Sequence, residues 1–72
     1  MVHKRKLKLW DVLVVDRDTG EDVDYWIVKA GSEAEAEQKV IRLGKIKDFD
    51  VIAKQVGKHD WVIDLPVHRG IV

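Results

Sequence analysis

The sequence has no cysteine, no asparagine, one proline, one serine and one threonine among its 72 residues. Without cysteine there is no disulfide and no thiolate metal site, and the chain suits a reducing compartment, so a cytoplasmic location is the expectation. With a single serine and a single threonine, nucleophilic catalysis has almost nothing to work with. Ser32 has the position of a helix cap, and Thr19 lies in a turn-forming stretch. The missing asparagine is a faint mark of a heat-tolerant protein. No apolar run approaches the ~20 residues of a membrane span. The basic start is followed by an apolar stretch that Asp11 interrupts, with no small-residue cleavage site, so a secretory signal is not expected.

What is present describes a globular domain. The apolar fraction is 46% and the charged fraction 36%, far from the composition of a disordered tail. The length allows one domain, residues 1–72, with residues 1–6 expected as a flexible basic arm and residues 67–72 as a flexible tail. So short a chain buries a small share of its surface and gains from an oligomer partner. Thirteen basic and thirteen acidic residues cancel, but they are segregated. Lys4, Arg5, Lys6 and Lys8 open the chain without an acid, and Asp11, Asp16, Asp18, Glu21, Asp22 and Asp24 follow with only Arg17 among them.

Gly20, Gly31, Gly44, Gly57 and Gly70 divide the chain into pieces of strand or helix length. Leu7 to Val15 is rich in branched and aromatic residues and predicts a central strand. Asp16 to Asp22 is a turn, and Val23 to Ala30 a second strand forming a hairpin with the first. Ser32 and Glu35 have capping-box spacing. Glu33, Glu35 and Glu37 near the start and Lys39 and Arg42 near the end suit the helix dipole. Ala36, Val40 and Leu43, with Ile41 beside them, form the apolar stripe, and Gly44 is the expected left-handed stop. Lys47 to Val56 predicts a third strand, Gly57 to Asp60 a turn, and Trp61 to Leu65 a fourth strand ended by Pro66. The expected fold is α+β: β-β-α-β-β, an antiparallel sheet of order 2-1-3-4 with one helix on one face. The alternative is a ββαβ core whose last segment is irregular.

Such strands are apolar on both sides. If Trp10, Val12 and Val14 face one way, Leu9, Leu13 and Val15 face the other. Trp26, Val28 and Ala30 are opposed to Val23, Tyr25 and Ile27 in the same manner. One short helix covers a single face, so an apolar far face is expected to serve self-association or a protein partner. Trp10, Tyr25, Trp26, Ile27 and Trp61 are the candidate partner-binding residues; the plainer reading makes the aromatics core. A second reading gives Lys4, Arg5, Lys6 and Lys8 to the phosphates of RNA or single-stranded nucleic acid, with sheet aromatics stacking on bases. The aromatic spacing fits no recognition signature, and a solvated arm is the plainer account. A structural or assembly component is the third reading.

Other chemistry finds little support. The acidic stretch from Asp16 to Asp24 departs from the helix-loop-helix calcium pattern, because Gly20 falls fifth and Ile27 twelfth. His3, His59 and His68 are too scattered to set a metal site, although His59 and Asp60 could meet His68 at one end of the sheet. Gly44-Lys45 follows a helix rather than opening one, so it is no phosphate loop. Asp48 and Asp50 pair on a strand without a predicted cleft. The expectation is therefore a non-enzymatic binding module with no cofactor, no metal, no small-molecule substrate and no membrane association. In size and style it resembles small accessory proteins of phages and mobile elements, a likeness that no motif narrows to a family.

Overall fold

The computed structural model describes residues 6–72. The elements are β1 (Lys8–Asp16), β2 (Asp22–Ala30), α1 (Glu33–Gly44), β3 (Phe49–Gln55) and β4 (Val67–Ile71). They form a small α+β domain with one helix on a four-stranded sheet.

The turn between β1 and β2 is built by its acids. The Asp16 carboxylate accepts the N–H groups of Asp18 at 2.8 Å and Thr19 at 3.2 Å, and Gly20 takes the positive φ of 73° that closes the loop. At the helix start, Ser32 accepts from the Glu35 N–H at 3.2 Å. Glu35 reaches one residue further back than in a standard capping box, to the Gly31 N–H at 3.3 Å. The helix end differs from expectation. The left-handed residue is Lys45 (φ 51°), and Gly44 precedes it. Gly44 instead supplies space, because a Cβ there would stand 3.2 Å from the Trp26 ring and 3.1 Å from Ile46.

Sheet order corrects the sequence reading. The strands lie in the order β3-β1-β2-β4. β1 is antiparallel to both neighbours, and β2 and β4 are parallel. The sheet is thus mixed, where an antiparallel 2-1-3-4 order was expected. Trp61 to Leu65 is irregular, and β4 lies in the segment expected to be a loose tail. The cause lies in the pattern around Pro66. Trp61, Ile63 and Leu65 are half-buried and alternate with exposed Val62 and Asp64, so this stretch lies against the sheet and does not extend it. Proline removes a ladder donor, and the chain regains pairing only beyond it. The Val72 N–H donates to the Ile27 carbonyl at 3.0 Å, and the Lys29 N–H to the Val72 carbonyl at 2.8 Å. Positive φ values at Arg69 and Gly70 mark the bulge in β4.

The helix covers the face bearing Trp10, Val12, Val14, Trp26, Val28, Ala30 and Ala53, against which Ala36 and Val40 pack. Each fully buried valine, Val12, Val28 and Val40, contributes about 1.5–3 kcal/mol relative to exposure. Glu37 ties the helix to the sheet edge by accepting the Ala53 N–H of β3 at 3.1 Å, which occupies part of an otherwise open strand edge.

Candidate functional site: the face opposite the helix

β3 and β4 run in the same direction at opposite edges of the sheet, so residues 56–66 must cross the sheet to join them. They cross the face away from the helix as a strap. That face carries Leu9, Asp11, Leu13 and Val15 of β1, with Ile27 and Tyr25 opposite Asp11 and Leu13 on one side and Ile52 opposite Leu13 on the other. The far face is therefore not left open, as one-helix cover implied. Asp11 and Leu13 are both buried.

A carboxylate in the middle of an apolar strand is costly unless its lone pairs are satisfied. Asp11 is satisfied on both oxygens. The Tyr25 hydroxyl donates to Oδ1 at 2.6 Å, and His59 of the strap contacts Oδ2 through Nε2. The Trp61 N–H donates to His59 Nδ1 at 3.2 Å. Nδ1 is thus the acceptor, and Nε2 carries the proton that is shared with Asp11. The Trp61 ring lies tilted against the imidazole, with centroids 4.9 Å apart. Burial first, then the hydrogen bond and charge of Asp11, push the Tyr25 hydroxyl up to about 12. Both imidazole nitrogens are engaged, so the cluster acts as a clasp and has no free nitrogen for proton transfer to a substrate.

Beside the clasp is a groove of about 280 Å³. Leu13, Val15 and Ile52 line it from the sheet, Trp61 and Val62 from the strap, and Gly20 and Asp22 from the hairpin end. Val62 is 85% exposed, and Ile52 and Leu9 are each 38% exposed. Charge is divided along the same face. Lys29 and Lys54, across from Leu9 and Asp11, lie at the end where β1 begins. Asp22 and Asp50, both across from Val15, lie where β1 finishes, and Asp50 is ion-paired with Arg17 at 2.9 Å.

A second histidine fastens β4. Asp24 accepts from the Trp26 ring N–H at 3.0 Å and pairs with His68 Nδ1 at 3.2 Å. The His68 ring stacks on Trp26 at 4.1 Å.

The five candidate partner-binding residues do not form one surface. Tyr25, Ile27 and Trp61 lie on the strap side, all half-buried. Trp10 and Trp26 are buried in the opposite face under the helix, and the Trp10 ring N–H donates to the Ala30 carbonyl at 2.9 Å. Lys6 and Lys8 are exposed, and Lys4 and Arg5 lie outside the described residues. The residues that sequence reasoning missed are Asp11, His59, Ile52 and Val62. Asp11 had a usable signal: a lone acid inside an apolar strand demands a partner from elsewhere in the chain.

Among the described residues no group of three or more His, Cys, Asp or Glu side chains is placed to hold a metal ion. None of their helices is long and apolar enough to cross a membrane. Comparison with protein-family models, curated proteins and solved structures finds no match.

Proposed function

We propose that this chain is a non-enzymatic binding module that receives a protein partner on the strap-bearing sheet face. The observation that carries the reading is Val62, 85% exposed at the lip of an apolar groove. A branched aliphatic side chain held in water beside exposed Ile52 forms the kind of patch that contact surfaces use. The strap keeps Val62 in place through the His59–Asp11 clasp, so the surface is preformed and little ordering entropy is lost on binding. The engaged nitrogens of His59 suit this role better than that of a catalytic base.

Site-specific photocrosslinking in the native cell extract tests the reading. A photoreactive residue at position 62 should give one discrete protein adduct, and the same residue at exposed Arg42 on the helix should give none. No adduct at 62, or the same adducts at both positions, would overturn it.

A further inference from the structure

We infer that the partner on this face is a second copy of the chain, packed face to face about a twofold axis that lies between the two sheets and perpendicular to the strands. The inference rests on the binding-module reading above and names its partner.

The charge pattern selects both the occupant and its orientation. The formal charges sum to zero, yet on the strands of this face Lys29 and Lys54 stand at one end and Asp22 and Asp50 at the other, where the groove lies. Two identical faces can meet about a twofold axis along the strands or across them. An axis along the strands sets lysines on lysines and aspartates on aspartates. An axis across them reverses one sheet, so the lysine end of each copy meets the aspartate end of the other twice over. The face is therefore complementary to itself in one of the two arrangements. An axis across the strands leaves β2 facing β2, so Lys29 of each copy meets Asp22 of the other, while Asp50 on β3 already holds Arg17.

The energetic roles divide in the usual way. Val62 and Ile52 would supply the apolar centre, while rim charges set register and speed encounter. A standard interface takes about 800 Å² from each partner, a modest share of the chain's 5351 Å². A small domain with little interior gains most from such burial.

Sedimentation of the full chain over a wide concentration range, with charge-swapped variants, is the test. The wild-type chain should form dimers that weaken as salt is added. Lys29→Glu alone and Asp22→Lys alone should each dimerise about tenfold more weakly, since every swap opposes like charges at two symmetry-related contacts. Mixing the two variants should restore a heterodimer, because the glutamate introduced in one chain then meets the lysine introduced in the other. Val62→Asp, at a position too exposed to matter for folding, should abolish dimers while leaving the circular dichroism unchanged. A wild-type chain that stays monomeric, a mixture that gains nothing, or full dimerisation of Val62→Asp would each overturn the inference. A monomer that still crosslinks to another protein through position 62 would overturn the second copy and keep the docking face; a monomer with no adduct would overturn both.

Discussion

His59 holds Asp11 across 48 positions of chain, and with Tyr25 it completes the coordination of a carboxylate buried in the central strand. The contact solves two problems at once. It satisfies an acid that the low-dielectric interior would otherwise penalise, and it pins an irregular strap over a sheet face that the helix cannot reach. The strap then displays Val62. Local chemistry at Asp11 thereby sets the shape of the surface proposed to bind.

Removing both partners of that pair should cost less than the sum of removing each alone. His59→Ala leaves the Asp11 carboxylate short of a donor and should destabilise the fold by about 2–3 kcal/mol in urea unfolding. In the double variant Asp11→Ala/His59→Ala the losses should fall short of additive by at least ~1 kcal/mol. Additive losses would show that the two side chains do not act together.

Tyr25 is the chain's single tyrosine, so its ionisation can be followed directly by ultraviolet absorbance. The midpoint should lie near 12 in place of 10. Asp11→Asn removes the carboxylate charge and should bring the midpoint down towards 10, leaving the part due to burial. The sign for stability follows from linkage. Between pH 10 and 12 the folded chain holds a proton that the unfolded chain has released, so this contribution is intact below pH 10 and is lost as pH rises through 12. An unshifted midpoint in the wild-type chain would mean that the hydroxyl is free in water.

Local signals carried the first three strands and the helix. Ser32 and Glu35 marked the cap, branched and aromatic residues marked β1, and Asp16 and Gly20 marked the turn, because each of these acts within a few residues. Strand order was not local. Placing β4 beside β2 depends on where an irregular strap crosses, and that depends on Asp11 finding His59, which no short-range pattern records. Trp61 to Leu65 alternates like a strand because it lies on a sheet, and alternation alone does not separate lying on from lying in. The site suffered most from this. Trp10 and Trp26 are conspicuous in the sequence and are core, while Val62 and Ile52 are ordinary residues made prominent by topology.

The end of the helix offers a gain in stability. Lys45 holds φ 51° and ψ 48°, a conformation that costs a residue with a Cβ about 1 kcal/mol and costs glycine little. Lys45→Gly should therefore raise stability by about 0.5–1 kcal/mol, read as a higher urea midpoint at unchanged slope. A lower midpoint would indicate that the lysine side chain contributes more than the backbone loses.

The last strand separates this topology from a loose tail most directly. In the folded chain the Lys29 N–H is bonded to the Val72 carbonyl and the Val72 N–H to the Ile27 carbonyl, while the His68 ring stacks on Trp26 and its Nδ1 pairs with Asp24. Native-state hydrogen exchange should thus find the Lys29 and Val72 amides protected, with both accelerated together in His68→Ala, since the ring is part of what holds the strand down. Truncation after Pro66 should bare the edge of β2 and the buried Trp26 ring, shifting tryptophan emission to longer wavelength and lowering the urea midpoint. If residues 67–72 were loose, the Val72 amide would exchange at the rate of an unstructured chain and the truncation would leave the midpoint where it was. β4 would then have no part in holding the sheet together, and the strap would be anchored by His59 alone.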